Sequence, residues 1–300
     1  MRLYKLNNDT LTKINEEAFG KERTLQNVVE NNLNTLMGLQ VVKSEFTVED
    51  RRFDTLAYDP ENKSFVIIEY KRDRNSSVVD QGFTYLYLLL NHKADAVLAF
   101  NNHFKKNLTV NEIDWEQTKV IFVSTAFTDF QQGAIGKGLP IELWEIKRHG
   151  KDLYSVAPIK KTGNPVNISE VTEKKSAYSK LKDLKSYTEE ELLSKTSENV
   201  RELYAQYRDA ILNLDSQLET KATKLYIAFK KDNTNICDIE MYRNKLMIFV
   251  NANWGELDDP KNLFQNMKGK GHHGNGDYKV DVSSTNDLEY ILSVIKKLLK

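Results

Sequence analysis

Two carboxylates and one lysine stand out in the first third of the sequence, because each lies in or beside a stretch with strand character. Asp54 lies in the pattern Phe53–Tyr58, and Glu69 lies in the pattern Ser64–Tyr70, two residues before Lys71. Acidic oxygens can bind a divalent cation, and an ammonium group can stabilise negative charge that develops on a phosphoryl group. This chemistry requires that the three side chains meet on one face of a sheet.

The turn between the two strand patterns predicts how they pair. Residues 59–62 (Asp-Pro-Glu-Asn) are typical of a tight turn, so we expect a hairpin. If the turn is centred on Glu61 and Asn62, Asp54 lies directly opposite Glu69, with Cβ atoms ~4.5–5.5 Å apart. Side chains alternate along a strand, so the lysine two residues after Glu69 shares its face.

Two directly opposed carboxylates repel one another, which disfavours folding unless a cation lies between them. Mg²⁺, or Mn²⁺ in its place, prefers such oxygen ligands and keeps several waters, one of which can attack a phosphodiester. Lys71 can orient that water or stabilise the charge of the transition state. The alternative is an ordinary ion pair of Lys71 with Glu69 on an exposed strand edge. The apolar run at 66–68 (Val-Ile-Ile) instead predicts a buried strand.

Helices are expected on both sides of this hairpin along the chain. A helix predicted from Lys21 to Met37 has apolar residues three and four positions apart. Its first turn carries Glu22, where a carboxylate suits the helix dipole. A second helix predicted from Val78 to Asn91 carries Gln81 and Tyr85 on one face, because they are four residues apart.

Further strands complete the first domain. Gly38 is expected to end the first helix. Strands are predicted at Leu39–Val42, Val97–Phe100 and Lys119–Ser124. Strands joined by helices indicate an α/β domain with a mixed sheet flanked by helices, which we place at residues 1–150.

In this order, the residues resemble the PD-(D/E)XK nuclease superfamily, whose core runs helix–strand–strand–strand–helix–strand. Asp54 matches the motif aspartate, and residues 69–71 (Glu-Tyr-Lys) match the ExK element. Residues 81–85 (Gln-Gly-Phe-Thr-Tyr) match the QxxxY element of the RecB-like branch. The resemblance covers residues 20–125, and Phe53 stands where the family often has proline.

The resemblance implies a restriction-endonuclease-like fold and a metal-dependent nuclease that hydrolyses phosphodiester bonds of nucleic acid. Such an endo- or exonuclease would act in restriction, repair or phage defence. Glu22, Asp54 and Glu69 would then hold Mg²⁺ or Mn²⁺, and Lys71 would position or polarise water. The alternative is a catalytically inactive nucleic-acid-binding or regulatory module on the same scaffold. A nuclease that has lost its activity has no evident reason to keep two opposed carboxylates. The carboxylates therefore favour an active nuclease over the inactive module.

Nucleic acid, DNA in the first place, is the partner that this resemblance implies, and the chain is expected to be able to act as a homodimer. Gln81 and Tyr85 would orient the ExK segment or the substrate. Arg52, Arg72 and Arg74 flank the carboxylates, and guanidinium groups suit phosphate oxygens. Solvated arginines at strand ends are the alternative interpretation of the same three residues.

A second resemblance extends to the C-terminal third of the chain. Residues 254–260 (Trp-Gly-Glu-Leu-Asp-Asp-Pro) and 269–278 resemble motifs of a domain of unknown function in a poorly characterised family of prokaryotic two-domain proteins. His272 and His273 lie among four glycines, which favours a structural loop over a metal or acid–base pair. The tryptophan and tyrosine of these motifs, with nearby lysines, could instead form a surface for nucleic acid.

The C-terminal segment is predicted to be a smaller α+β domain at residues 188–300. The charged, turn-rich residues 151–187 are expected to connect the two domains. A helix from Thr188 to Leu218, in which a break near Lys195 is an open alternative, begins the second domain, and Leu288–Leu299 closes it as an amphipathic helix. The strands between them are predicted at Leu225–Phe229, Ile236–Ile239 and Lys245–Asn251.

Composition restricts the class of protein without deciding its function. The 300 residues have 40% hydrophobic and 29% charged residues and a formal net charge of zero, which is typical of a globular protein. A single cysteine, Cys237, excludes a disulfide framework and a thiolate zinc site. No run of ~18 apolar residues predicts a membrane span, and no signal core is present, so a cytoplasmic location is expected. Neutrality does not exclude a nuclease, because bound metal would offset some of the carboxylates.

Overall fold

The strands that carry Asp54 and Glu69 lie side by side in the sheet of the first of two compact units, Met1–Ser186 and Tyr187–Lys300. The computed structural model describes residues 2–71, 78–135, 139–160, 181, 184, 187–232, 234–271 and 275–299. Within these ranges, no helix is both long and apolar enough to cross a membrane.

The sheet of the first unit is mixed and has seven strands among the described residues. Strands β1 (Leu3–Asn7) and β2 (Thr10–Ile14) precede it as a separate hairpin. The seven strands are β3 (Glu16–Glu17), β4 (Gln40–Val48), β5 (Arg51–Asp59), β6 (Ser64–Lys71), β7 (Lys119–Ser124), β8 (Ile141–His149) and β9 (Leu153–Pro158). Their order is β3-β8-β7-β6-β5-β4, and β9 pairs with β8. Strands β6, β7 and β8 are parallel, and the remaining pairs are antiparallel.

The turn between β5 and β6 is held by Asp59. Its carboxylate accepts hydrogen bonds from the backbone N–H groups of Glu61 and Asn62, at 3.0 and 3.1 Å. This local bonding fixes a four-residue turn. Thr55 therefore pairs with Ile68, which is the register predicted from the sequence.

Helices cover both faces of the sheet. Helix α1 (Glu22–Asn31) packs Leu25 and Val29 against the face that carries Val66 and Ile68, and α2 (Leu33–Met37) adds Leu33 to the same cluster. Helices α3 (Val78–Asn91), α4 (Lys93–Phe104) and α5 (Asp129–Ala134) lie on the face that carries Phe65 and Ile67. The continuous apolar run of β6 is buried because both of its faces are covered. Apart from α2 and α4, the order α1-β4-β5-β6-α3-β7 is the helix–strand–strand–strand–helix–strand order expected from the sequence.

The prediction of a strand at Val97–Phe100 is wrong, because these residues lie in α4. Ala96, Val97 and Phe100 are the buried residues of that helix, and their spacing of three and four is helical. A short apolar run has the same appearance in a buried strand and in one buried side of a helix.

The first helix is shorter than predicted. The predicted span Lys21–Met37 is divided at Asn32, whose φ of −124° and ψ of 15° are not helical. The Asn32 amide donates to the carbonyl of Val28 at 2.8 Å, so the side chain competes with the backbone for that acceptor. Gly38 ends α2 with a φ of 67°, as predicted.

The connection predicted at 151–187 contains a strand of the first sheet. Strand β9 pairs with β8 from His149 opposite Leu153 to Trp144 opposite Pro158. Its residues are exposed or half-buried, so they lack the apolar alternation from which a strand is recognised. Most of residues 161–186 lie outside the described part of the chain.

The second unit has an antiparallel sheet with helices on one face. Its strands are β10 (Glu219–Ala222), β11 (Tyr226–Lys231), β12 (Thr234–Met241), β13 (Leu246–Val250), β14 (Gln265–Asn266) and β15 (Tyr278–Val282), in the order β10-β11-β12-β13-β15-β14. Its helices are α6 (Glu189–Leu193), α7 (Glu198–Leu212) and α8 (Leu288–Ile295). The predicted break near Lys195 separates α6 from α7. Cys237 is buried in β12.

A glycine in the motif at 269–278 brings two segments of the second unit into contact. Gly276 has a φ of 83°, which an L side chain rarely adopts. A Cβ atom placed on Gly276 would overlap the carbonyl oxygen of Val250 and lie 2.5 Å from the Cα of Asn251. Gly269 also has a positive φ, 73°, but nothing lies within 4 Å of its Cβ position.

Gly276→Ala is expected to destabilise the second unit by roughly 2–5 kcal/mol, because a strained backbone conformation and a steric overlap add. Gly271→Ala is the matched control, since no atom lies within 4 Å of its Cβ position and its φ is not in the left-handed region. The measurement is urea denaturation of the full chain, in which hydrogen exchange of the β13 amides reports the unfolding of the second unit. Equal stability of the two variants would show that the close approach is absent.

Candidate functional site

The site begins where the pairing of β5 with β6 ends. The last paired residues are Thr55 and Ile68. Beyond them, the backbone N–H of Tyr70 donates to Oδ2 of Asp54 at 2.9 Å. The carboxylate of Asp54 therefore accepts a backbone hydrogen bond at the end of the ladder, which holds it beside β6.

Glu69 lies at the centre of a hydrogen-bonded cluster. The residue is only 5% exposed. Oε1 of Glu69 accepts from Lys71 Nζ at 2.8 Å, from Gln81 Nε2 at 2.8 Å and from the Tyr85 hydroxyl at 3.2 Å. Gln81 Nε2 also lies 2.8 Å from the Tyr85 hydroxyl. The structure thus brings together four of the residues that the sequence identified.

The ion pair of Lys71 with Glu69, which was the alternative interpretation, forms in a buried setting. The side chains are 19% and 7% exposed, respectively. A buried carboxylate with one ammonium partner is costly to keep ionised without further donors. Gln81 and Tyr85 supply those donors from α3.

Helix α3 reaches Glu69 because it packs closely on the sheet at Gly82. A Cβ atom at this position would lie 2.8 Å from Cδ1 of Ile141 and 3.4 Å from Cε2 of Phe122. The ring of Tyr85 packs on Phe53 with centroids 5.0 Å apart. These contacts set the distance between helix and sheet that the two hydrogen bonds to Glu69 require.

The electrostatics of the site favour a cation. Burial raises the pKa of Asp54 to about 7, with a smaller contribution from the charge of Glu69 and a still smaller one from that of Glu22. The hydrogen bond from the Tyr70 N–H and the charge of Lys71 oppose this rise. Oε2 of Glu69 is buried and has no hydrogen-bond partner within the described ranges of the chain. The carboxyl group of Asp54, which resists ionisation, and Oε2 of Glu69, which lacks a donor among the described residues, together form an oxygen-rich environment. Oxygen is the ligand that Mg²⁺ and Mn²⁺ prefer.

The pKa of Tyr85 is raised to about 12 by burial and by the charge of Glu69. The hydroxyl therefore keeps its proton at neutral pH. It can act as a hydrogen-bond donor to Glu69 and not as a base.

Glu22 lies at the start of α1, on the opposite face of the sheet from α3. It is close enough to affect the charge balance of Asp54. Even so, no three His, Cys, Asp or Glu side chains within the described ranges are placed to hold a metal ion. Instead, Glu22 lines a cavity of about 370 Å³ whose wall also includes Lys21, Thr125 and Lys147.

The arginines predicted to contact nucleic acid are only partly described. Arg52 pairs with Glu45 at 2.8 Å, and 64% of its side chain is exposed. Arg72 and Arg74 lie outside the described residues. Contact of these three residues with phosphate stays a prediction.

A residue that the sequence analysis missed lies behind Asp54. Gln26 on α1 is buried and donates from Nε2 to the backbone carbonyl of Asp54 at 3.0 Å. The available signal was a polar residue directly after Leu25 in the apolar stripe of α1, four residues from Glu22.

The motifs of the second unit build a loop. The hydroxyl of Tyr278 accepts from the N–H groups of Gly255 and Leu257 and donates to the carbonyl of Leu257, at 2.7–3.0 Å. The ring of Trp254 packs against that of Tyr278, with centroids 4.6 Å apart and planes tilted by 31°. The Tyr278 hydroxyl is therefore engaged in hydrogen bonds within this loop. His272 and His273 lie outside the described residues.

The chain belongs to the same protein family as a relative from Haemophilus influenzae (strain ATCC 51907 / DSM 11121 / KW20 / Rd). That relative, described as an uncharacterized protein, is 46% identical over 302 residues, which span all of both chains. Residues 189–297 match the model of a domain of unknown function, DUF5655, which corresponds to the second unit.

Three solved structures overlap with parts of the chain. A repair endonuclease from Pyrococcus abyssi is 16% identical, with 38% of this chain and 42% of that chain covered and a TM-score of 0.21. EndoMS in a complex with dsDNA is 14% identical, with coverage of 43% and 57% and a TM-score of 0.23. SfsA from Pyrococcus furiosus with Ca²⁺ is 16% identical, with coverage of 55% and 77% and a TM-score of 0.25. At TM-scores this low, the overlaps carry no argument about activity.

Asp54→Asn is expected to stabilise the first unit, by about 1–4 kcal/mol at pH 8 without divalent cations. With its pKa raised to about 7, the folded carboxyl keeps a proton that the unfolded chain releases near its ordinary value of 3.8. The stability of the wild type therefore falls as pH rises through this window. The neutral amide removes that loss, and its oxygen can still accept from Tyr70.

The measurement for Asp54→Asn is urea denaturation between pH 4 and 8 in the presence of a chelator. Asp50→Asn is the control, because the Asp50 side chain is 84% exposed. A stability gain at pH 8 no larger than that of the control would contradict the raised pKa.

Proposed function

We propose that the protein is a metal-dependent nuclease of the PD-(D/E)XK type, in the RecB-like branch, and that its first unit has the restriction-endonuclease-like fold. The observation that carries this proposal is the buried oxygen Oε2 of Glu69, which has no donor among the residues that the structure describes, although the other oxygen of the same carboxylate has three. Such asymmetry costs stability unless a cation completes the site.

Asp54 and Glu69 would hold Mg²⁺ or Mn²⁺, with Glu22 as a third ligand from α1. When bound, the metal supplies positive charge at the phosphate and an activated water. The side chains of the chain have separate roles around it. Lys71 would place its ammonium group where negative charge develops, and the hydrogen bonds from Gln81 and Tyr85 would keep the Glu69 carboxylate in one orientation.

The proposed substrate is nucleic acid, with DNA in the first place. The first unit has no strongly basic composition, so binding would depend on local contacts near the carboxylates, with Arg52, Arg72 and Arg74 as candidates. A homodimer is part of the same proposal, since a second copy would add contacts to the other strand of a duplex.

A second candidate function is a nucleic-acid-binding module that does not cut. The observation that favours it is that Glu22 does not join Asp54 and Glu69 in a three-ligand group within the described residues. Metal binding by two carboxylates is still sufficient in principle, because Mg²⁺ is often held by one or two carboxylates together with waters.

Lys71→Met is expected to reduce Mg²⁺-dependent cleavage by at least about 100-fold, because it removes the charge that the transition state requires. Lys119→Met is the matched control. Lys119 is 20% exposed and pairs with Glu142 at 2.8 Å, so it has nearly the same burial and ion-pair geometry as Lys71, one strand away. Both variants lose an ion pair, and only one of them loses a group at the site.

The assay uses the full chain with single- and double-stranded DNA and RNA, in Mg²⁺, in Mn²⁺ and with a chelator. Cleavage by the wild type that persists in Lys71→Met would remove the lysine from the mechanism. Binding of nucleic acid without any cleavage by the wild type would replace the nuclease proposal with the binding module.

A further inference from the structure

Gln26 is a buried glutamine in the midst of the polar contacts between α1 and the strands β4 and β5. Its side chain is 4% exposed. Nε2 lies 3.0 Å from the carbonyl oxygen of Asp54, 3.0 Å from Oε1 of Glu30, and 3.2 Å from both Ser44 Oγ and Glu45 Oε1. A side-chain amide has two N–H groups, so the two shortest contacts, to Asp54 and Glu30, are the best donated bonds.

The orientation of the amide is determined by its other end. Arg23 Nη1 donates to Oε1 of Gln26 at 3.0 Å and to Oε1 of Glu45 at 2.7 Å. A flipped amide would place its N–H groups against the guanidinium and its oxygen against the carbonyl of Asp54. Only one orientation therefore satisfies the neighbours, and it presents a donor to Asp54.

The ladder of β4 with β5 is interrupted beside Asp54, although its register shifts elsewhere, between Val41 and Lys43. The amide of Gln26 supplies a donor to the Asp54 backbone at this interruption. Ser44 pairs with Thr55, and Phe46 pairs with Phe53. Between Ser44 and Phe46, Glu45 has a φ of 55°, a conformation that side chains other than glycine rarely adopt. Strain of this kind persists only where the surroundings hold it, and the contacts of Glu45 with Arg23 and Arg52 do so.

Two hydrogen bonds thus fix Asp54 from different sides. The side chain of Gln26 binds its backbone carbonyl, and the backbone N–H of Tyr70 binds its carboxylate. The first comes from α1 and the second from β6. If the first is lost, the peptide of Asp54 can rotate, and the carboxylate moves away from Tyr70.

We propose that Gln26 is a positioning residue for the carboxylate of Asp54 and that it couples α1, which carries Glu22, to the strand that carries Asp54. The role of Asp54 in binding metal rests on the proposed function, whereas the positioning itself does not. A bond between a helix and the backbone of a ligand residue is a means of keeping the ligand in one orientation before the metal arrives.

The test is Gln26→Met, which keeps the volume of the side chain and removes both donors. The first measurement is amide hydrogen exchange of Tyr70, whose N–H is protected by Asp54. We expect about tenfold faster exchange at Tyr70, with Ala57 and Val66 in the same hairpin unchanged. The second measurement is binding of Mn²⁺ to the full chain, which we expect to weaken about tenfold.

Asn101→Leu is the matched control. Asn101 also donates from its amide to a backbone carbonyl, that of Leu108 at 2.8 Å, but it lies on α4 away from Asp54. It should lower stability and leave both readouts unchanged. If Gln26→Met does not fold, Gln26→Asn shortens the reach of the amide, and the same two results are expected.

Unchanged exchange at Tyr70 in a folded Gln26 variant would overturn the proposal. Equal acceleration at Ala57, Val66 and Tyr70 would also overturn it, because Gln26 would then support the sheet in general. Neither readout requires cleavage. If the wild type cuts no nucleic acid but Gln26→Met still accelerates exchange at Tyr70, only the nuclease proposal is contradicted. If the wild type is active but exchange at Tyr70 is unchanged in Gln26→Met, only the positioning proposal is contradicted.

Discussion

The carboxylate of Glu69 is the group on which the rest of the first unit's site depends. It is buried at the end of a central strand, and one of its oxygens accepts three hydrogen bonds while the other accepts none from the part of the chain that the structure describes. Burying an ionised group costs several kcal/mol unless partners compensate. The positions of Lys71, Gln81 and Tyr85 follow from this requirement, and so does the close packing of α3 on the sheet at Gly82.

The site also depends on both faces of the sheet. Helix α3 supplies the donors to Glu69 from one face, and α1 supplies Gln26 to the backbone of Asp54 from the other. The two carboxylates are brought together at the point where the hairpin pairing ends, at a cost in stability that appears in the raised pKa of Asp54. Active sites often accept such a cost, because groups arranged for function are rarely arranged for maximum stability.

The second unit has its own hydrophobic core, and its two sequence motifs have structural roles within that unit. The hydroxyl of Tyr278 organises the loop that begins at Trp254, and Gly276 allows the segment just before Tyr278 to lie against Val250. These roles account for much of the motif at 254–260 and 269–278 through structure alone. Trp254 packs on Tyr278 but remains 38% exposed, so the structure of the loop does not fully account for this residue.

The sequence by itself determined the local features whose causes are local. The turn at Asp59 set the register of the hairpin, the spacing of Gln81 and Tyr85 set their common helix face, and Gly38 ended α2. The tertiary structure decided what depends on residues far apart in the chain. Val97–Phe100 is helical because its apolar residues pack as one side of α4, and β9 is a strand because β8 offers an edge. Likewise, the side of the sheet on which α1 packs, and with it the position of Glu22, is set by the whole core, and spacing along the chain carries no information about it.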